Sequence, residues 1–577
     1  MCLVELLLQQ LQQVGVKQIF GIPGDFVLPL FAAIEQAGTI PLYYLSHEPS
    51  AVFAADGASR ISNQPAAVIL TYGAGALNAV NAVAQAYVEQ VPLLIIAGFP
   101  SQCEINRKLA IHHQAKHLDS QRDIYREITC AQVRLNDVGT AATELCRAVQ
   151  TCKRESRPVL IEFPRDATDW QLPAAMVTQA FVAAKLFNAP AHQATPQQTV
   201  PQKTAPQQAV NHSQNTPYQQ ELALAVQAVR HRLKQAKQPV LLCGIGVRRF
   251  GAVAQVEQLA SRLQVPMMTT LLGRACLDQQ HPCYTGVFVD QHDQTQLKLL
   301  QESDLIILLG VIQNDSNFAA HPQLFPAEKV LVIGQGELKM PGVIYHDLPI
   351  AEVLNQLLHT ELPEFSWSAA AKNIFDNQQI QSGNNLSRQF NSGSVVALLD
   401  QLLSAQSELV PLISDIGDCL FASLHAQPSA LLAPAFYASM GYAVPAALGV
   451  QAASGLRPLV LVGDGAFQMT GLELGHCNRY GFSPIVVLLN NGGWQMIKAF
   501  SPNLLSTSLR GWNYSAIARG MNGSVHQVWG LEQLATAFSR ALQETERFSL
   551  IEVMLPEGSS SCRLQQFADG FLNAQSA

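Results

Sequence analysis

The sequence predicts an α/β chain of three doubly wound parallel-sheet domains. Short apolar runs alternate with helix-period segments through most of the 577 residues. A Pro/Gln/Thr-rich stretch, Ala189–Gln220, and a polar one, Asp376–Ser394, lack the aliphatics a core needs and interrupt that alternation. Several apolar runs end in Gly-rich turns, which is where open α/β sheets bind ligands. The division that follows is 1–185, 221–360 and 395–577, with linkers at 186–220 and 361–394.

Composition narrows the function. Net charge is −7, charged residues are 14%, and no Lys/Arg run suggests nucleic acid or an anionic membrane. The 11 cysteines are scattered without a CxxC pair, so neither a disulfide framework nor a zinc site is indicated. The opening MCLVELLLQQLQQVGV carries Glu5 and no basic flank, and reads as a first helix rather than a signal peptide. A soluble, cytoplasmic protein is expected. Two uncharged stretches, Ile61–Val88 and Cys419–Leu456, are broken by Gly, Pro or polar residues and read as buried segments rather than membrane spans.

In chain order, helix Val4–Val14 leads to strand Gln18–Phe20 and the turn Gly21-Ile-Pro-Gly-Asp-Phe26. Strand Pro41–Leu45 meets Ser46-His-Glu-Pro-Ser50, which opens helix Ala51–Arg60. Strand Ala66–Thr71 ends in Tyr72-Gly-Ala-Gly75, and strand Pro92–Gly98 follows. In the second unit, strand Pro239–Cys243 runs into Gly244-Ile-Gly-Val-Arg-Arg-Phe-Gly251. That run is near a dinucleotide fingerprint, but its third glycine is late and no acidic partner follows. The third unit has a layout similar to the first. Its strand Pro458–Val462 stops at Gly463-Asp464-Gly465, a helix spans roughly Met469–Tyr480, and strand Ile485–Leu489 ends at Asn490-Asn491.

Two parallel strands joined by a helix put both of these loops at one carboxyl edge. Asp464, Asn491 and a backbone carbonyl then form a hard oxygen set suited to Mg²⁺, and amides after Gly465 could hold phosphate oxygens. This GDG…NN spacing resembles the thiamine-diphosphate (ThDP) signature. Glu48, after a first-unit strand, is then the candidate carboxylate for the cofactor's aminopyrimidine, with a raised pKa in a dry pocket. Asp25 lies in a turn, and His112-His113 form an unusual tandem pair. Metal ligation by His113 and His117 at i,i+4 spacing is the other reading of those histidines.

Gly24-Asp25, His47-Glu48, Thr71-Tyr72-Gly73-Ala74-Gly75, His112-His113 and the GDG…NN unit together resemble the pyruvate/indolepyruvate decarboxylase branch of ThDP enzymes, nearest its phenylpyruvate-type members. The resemblance covers nearly the whole chain except the Pro/Gln linker. It implies non-oxidative decarboxylation of a 2-oxo acid to an aldehyde and CO₂ through a ThDP ylide and an enamine. It implies active sites shared between two chains of a homodimer or homotetramer, with Glu48, Asp25, His112 and His113 from one chain and Asp464 and Asn491 from the other. It assigns cofactor contacts to Thr71, Gly417, Asp418, Ser439, Gly465, Ala466 and Gly493, with Gly493 as third Mg²⁺ ligand. It places Met440 under the cofactor as the bulky apolar support of its bent form.

One position departs from the pyruvate decarboxylases. The catalytic Glu they carry after NN is Ile497 here, as it is aliphatic in the phenylpyruvate-type enzymes. The pocket becomes more apolar, and Thr71, Met496, Ile497, Phe500 and Phe567 are expected to line it. An aromatic or bulky acid, phenylpyruvate or indole-3-pyruvate, is therefore expected. The competing readings are an acetolactate-synthase-like carboligase, a silent ThDP-fold binding protein, and a nicotinamide oxidoreductase using Gly244–Gly251.

Overall fold

The computed structural model describes residues 1–188, 216–315, 322–366, 389–426, 430–509 and 511–576. Most of both expected linkers, 189–215 and 367–388, lies outside the described residues.

The first sheet contains β1 (Ile19–Gly21), β2 (Leu42–Tyr44), β3 (Ala66–Leu70), β4 (Leu93–Phe99), β5 (Ala131–Arg134) and β6 (Val159–Pro164). All pairs are parallel, in the order β2-β1-β3-β4-β6-β5. β3, β4 and β6 are buried along their whole length, as continuous apolar runs covered on both faces must be.

The central sheet contains β7 (Pro239–Cys243), β8 (Met267–Thr270), β9 (Tyr284–Phe288), β10 (Leu305–Leu309), β11 (Val330–Ile333), β12 (Glu337–Met340) and β13 (Val343–His346). Its order is β13-β12-β11-β10-β7-β8-β9. It differs from the all-parallel expectation at one edge, where β12 and β13 run antiparallel. Only Pro341-Gly342 joins them, with Gly342 at φ +80°, and a two-residue turn permits a hairpin but no crossover.

The third sheet contains β14 (Leu412–Ser414), β15 (Leu431–Leu432), β16 (Leu459–Gly463), β17 (Ile485–Asn490), β18 (Ser524–Val528) and β19 (Ser549–Met554). It is parallel, in the order β15-β14-β16-β17-β19-β18, the same winding as the first sheet. The helix expected at Met469–Tyr480 begins earlier, at Asp464, and is not continuous. Helix Asp464–Thr470 gives way to a 3₁₀ segment, Gly471–His476, and a last turn, Cys477–Tyr480. Gly471 packs under the Phe467 ring, where a Cβ would sit 2.5 Å from that ring, so the chain tightens at this point.

The first and third units share one apolar core, centred on the crossing of helices Glu48–Ser62 and Ala443–Ser454. Small residues let the backbones touch: a Cβ on Gly57 would lie 2.4 Å from the Ala446 carbonyl oxygen, and one on Gly449 only 1.8 Å from that of Ala54. Helix Ala443–Ser454 of this crossing lies within the uncharged stretch Cys419–Leu456 and is buried over most of its length. No helix among the described residues is long and apolar enough to cross a membrane. Beside the crossing, Arg60 pairs with Asp56 at 2.5 Å and Glu89 at 2.8 Å, and the Tyr442 hydroxyl donates to Asp56. Because the obstacle at Gly449 is backbone, no side-chain rotation can relieve a substituent there. Gly449→Val is expected to lower stability by about 3 kcal/mol or more, read as a fall in the urea midpoint.

The Gly244–Gly251 turn does not form a dinucleotide cradle. A Cβ on Gly244 or Gly246 would meet the Gly310 carbonyl oxygen at 2.4 or 2.7 Å, so these glycines serve close packing against the chain's own backbone.

Candidate active site

In the first sheet the chain winds outward from β1 to β2 and returns to β3 on the other side, so the loops after β1 and β3 part at a switch point. Asp25 lies on the first of these loops and Thr71 on the second. Gly24 allows their approach, since a Cβ there would sit 2.4 Å from Thr71 Cβ. The Thr71 hydroxyl donates to Asp25 Oδ1 at 3.4 Å. His112 and His113 arrive on the loop after β4. That loop crosses over Gly73, where any Cβ would meet the His113 carbonyl oxygen at 1.9 Å, and His113 itself has φ +66°. Phe26, Tyr72 and Phe99 form a small buried cluster beneath it, with Phe26 4.8 Å from the His112 ring.

His112 Nε2 lies 2.6 Å from Asp25 Oδ2, and His113 Nδ1 lies 3.9 Å from Oδ1. Burial pushes the Asp25 carboxyl up, but the His112 hydrogen bond and the charges of both histidines outweigh it and hold the carboxyl below its ordinary value. An ionised carboxylate only accepts, so His112 Nε2 donates. The alternative pairing of His113 with His117 is not made: His117 faces Asp123 at 3.8 Å, and these residues are not on a helix.

Glu48 is the first residue of helix Glu48–Ser62, just after β2. Its Oε2 accepts from Asn78 Nδ2 at 2.7 Å, and its Oε1 lies 3.4 Å from the Cβ position of Gly75. The sequence suggests a dry pocket; in the single chain Glu48 is half-buried. Asn78 was not singled out from the sequence, although an Asn in the apolar Gly75-Ala-Leu-Asn78 run was the available signal.

The third sheet repeats this arrangement. Loops after β14, β15, β16 and β17 surround an open cavity of about 620 Å³, counting the part open to solvent, lined by Gly417, Met440, Asp464, Gly465, Ala466, Asn491 and Gly493, among others. Asp464 is 2% exposed and accepts from the Gly465 and Gly492 amides, each at 2.9 Å. Burial raises its pKa to about 6, against the pull of those amides. Asn491 donates through Nδ2 to the Ser559 carbonyl at 3.0 Å, which leaves Oδ1 as the end available to a cation. Gly493 is held against Ser508 by an isolated bridge. Asp464, Asn491 and Gly493 thus line one cavity, and carboxylate, amide and carbonyl oxygens are donors of the hard kind that Mg²⁺ takes.

The turn carrying Met440 is fastened from below. Asp415, fully buried, accepts from the Ile416, Gly441 and Ala443 amides at 2.9–3.1 Å, and the Thr470 hydroxyl donates to the Gly441 carbonyl. Burial raises Asp415 to about 6. Asp415 was missed in the sequence; an acid ending the apolar run Leu412–Ser414 was its signal. Ser439 accepts from Asn81 of the first unit.

Asp418, expected as a cofactor contact, lines the cavity; its carboxylate accepts from the Ser392 and Ser561 hydroxyls and the Ser561 amide. Two expected pocket residues fall differently. Phe500 lies against Phe571, and Phe567 against Phe421, so neither lines the cavity of this chain; helix Gln495–Phe500 presents Met496 and Ile497 to it instead. Trp494, unremarked in the sequence, also lines the cavity, with its indole nitrogen 2.1 Å from the Cβ position of Gly465. Only glycine at 465 leaves room for that ring, while the Gly465 amide itself is engaged by the Asp464 carboxylate.

The carboxylate and amide oxygens, with Met440 in the same cavity wall, fit a divalent cation and a diphosphate. Comparison with known proteins agrees. Residues 1–123 match the N-terminal TPP-binding domain of thiamine pyrophosphate enzymes, 226–360 their central domain and 415–553 their C-terminal TPP-binding domain. The chain is 35% identical over 574 residues to an indole-3-pyruvate decarboxylase of Azospirillum brasilense, covering 99% of this chain and 98% of that one. It is 26% identical to an alpha-keto-acid decarboxylase of Mycobacterium avium, over 95% and 93% of the two chains. With pyruvate decarboxylase isozyme 1 of Saccharomyces cerevisiae the identity is 24%, over 95% and 94%.

Proposed function

We propose, on the premise that this chain belongs to the thiamine pyrophosphate enzyme family and is a ThDP-dependent 2-oxo acid decarboxylase, that its preferred acid is aromatic or bulky, phenylpyruvate or indole-3-pyruvate. The observation that carries this is the cavity wall: Met496 and Ile497 present apolar surface beside the oxygen set, with no acid among those two. Burying an aromatic ring there stabilises binding by about 2–3 kcal/mol. That a relative of 35% identity is an indole-3-pyruvate decarboxylase supports it.

When bound, ThDP supplies the carbon nucleophile and the electron sink for loss of CO₂. The chain's residues do the rest. Asp464 Oδ, Asn491 Oδ1 and the Gly493 carbonyl would hold Mg²⁺, and backbone at Gly465 and Ala466 would lie against the diphosphate. Met440, with backbone around Ser439, supports the ring system. Glu48 holds a proton at the pyrimidine ring nitrogen, with Asn78 fixing its carboxylate. Asp25 orients His112, and His113 delivers a proton to the carbon that CO₂ leaves.

Glu48, Thr71, Asp25, His112 and His113 all come from 1–185, and none lines the cavity, whose wall runs from 415 to 497. Two half-sites in one chain support a homodimer as the minimum, with a homotetramer as the larger form and each site completed across chains. Eleven free thiols, most of them buried, suit a reducing cytoplasm.

The experiment is aldehyde release from phenylpyruvate, indole-3-pyruvate and pyruvate, with and without ThDP and Mg²⁺. Cofactor-dependent aldehyde, at least about tenfold faster from the aromatic acids, is expected. Preference for pyruvate would overturn the pocket argument; no aldehyde from a ThDP-loaded protein would point to carboligation.

A further inference from the structure

The proton-handling group has the composition of a transition-metal site. Among the described residues, Asp25, His112 and His113 are the one group of three or more His, Cys, Asp or Glu side chains whose donor atoms all lie within 4.8 Å of one another. They come from two loops, with Asp25 and His112 87 positions apart in the chain. Adjacent side chains on an extended backbone point to opposite faces. With His113 in the left-handed region, at φ +66°, both imidazoles face Asp25 instead. Their rings stand 4.9 Å apart, edge to face, and both lie against Phe26, at 4.8 and 5.9 Å. The Thr71 hydroxyl donates to Asp25 Oδ1, the kind of outer contact that orients a ligating carboxylate.

The spacing fits an ion of zinc's size. Bonds of about 2.0–2.2 Å set tetrahedral donors about 3.3 Å apart. His112 Nε2 lies 2.6 Å from Asp25 Oδ2 and His113 Nδ1 lies 3.9 Å from Oδ1, so the required separation falls between the two contacts. The three side chains are 34–59% exposed, which gives an ion a way in, lets the ligands adjust and leaves a fourth position open to water. Two imidazoles and one carboxylate suit a borderline cation, whereas Mg²⁺ takes oxygen donors and goes to the Asp464 set. His112 now donates from Nε2; to ligate there it carries its proton on Nδ1 instead, with no change of charge.

We propose that Asp25 Oδ, His112 Nε2 and His113 Nδ1 bind one Zn²⁺ ion per chain, at a second metal site separate in sequence and in chemistry from the Mg²⁺ set. Its consequence is inhibition, and this part rests on the proton role given to His113 above: a ring held on an ion no longer takes up and delivers a proton.

The test uses the full-length protein loaded with ThDP and kept in excess Mg²⁺, so that the oxygen set is filled. Zn²⁺ is titrated by calorimetry, and Co²⁺ is used as its coloured substitute. One Zn²⁺ per chain is expected, with the visible absorption of four-coordinate Co²⁺ and its loss on adding Zn²⁺. His113→Ala and Asp25→Asn are each expected to weaken Zn²⁺ at least about tenfold while ThDP affinity, measured on the same samples, stays within a few-fold of wild type. Zn²⁺ affinity equal in wild type and both variants, or Zn²⁺ displaced by Mg²⁺, would overturn the site. Should the variants not fold, crystals of the loaded wild type soaked in Zn²⁺ decide: an anomalous peak bonded to Asp25 and both histidines is expected, and its absence rejects the site. Aldehyde release is assayed in parallel. Turnover that falls as the site fills, and returns with a zinc chelator, supports both the site and the proton role. A filled site with turnover unchanged upholds the site and overturns the role of His113, while no binding with normal turnover overturns the site alone.

Discussion

Glu48→Gln is expected to lower kcat by about 10²–10⁴-fold while leaving ThDP affinity within a few-fold of wild type. The glutamine keeps the shape of the side chain, and its carbonyl can still accept from Asn78 Nδ2, which now donates to Glu48 Oε2 at 2.7 Å. What disappears is the carboxylate that shares a proton with the pyrimidine nitrogen. The measurement with most power is exchange of the thiazolium C2 proton with solvent in the bound cofactor. Exchange should slow in step with kcat. If turnover fell while exchange stayed fast, Glu48 would act elsewhere in the cycle, and its position at the start of its helix would be a matter of helix stability alone.

The second large effect is on cofactor loading. Asp464→Asn should weaken Mg²⁺-dependent ThDP binding on the order of 10²-fold, because it removes the one charged ligand of the oxygen set. The wild type should show a related pH dependence. Burial raises Asp464 to about 6 in the metal-free chain, and only its ionised form binds the cation. Loading is therefore complete well above pH 6 and falls about tenfold per unit as pH drops below it. Trp494, at the wall beside Gly465, offers an intrinsic fluorescence signal for this titration. Loading that stayed flat from pH 7 to 5 would show that Asp464 is not the ligand the cation depends on.

Much of this site is legible in the sequence because its residues sit on loops that directly follow apolar runs. Asp25, Thr71, Asp464 and Asn491 each come within a few residues of a strand end, and the strand run itself is visible. The matching order of the first and third sheets turns those positions into neighbours. What the sequence hides depends on distant partners. The Asp418 carboxylate is held by Ser561, 143 residues away. Phe567 looks like a pocket wall until its packing on Phe421, with ring centroids 4.5 Å apart, is seen. Glu48 looks dry from its neighbours alone, whereas its burial in one chain is partial.

The two half-sites have a consequence for how such a chain changes over generations. On the proposed reading the groups that handle protons stand on the first unit, and the wall that meets the substrate side chain stands on the third, where Gln495, Met496 and Ile497 of the six-residue helix Gln495–Phe500 line the cavity. Mutations in six adjacent codons can therefore redraw the range of acids accepted without disturbing Asp25, His112 or His113. The chemistry is inherited intact while selectivity drifts, and a laboratory library confined to that helix would explore new substrates against a constant catalytic background.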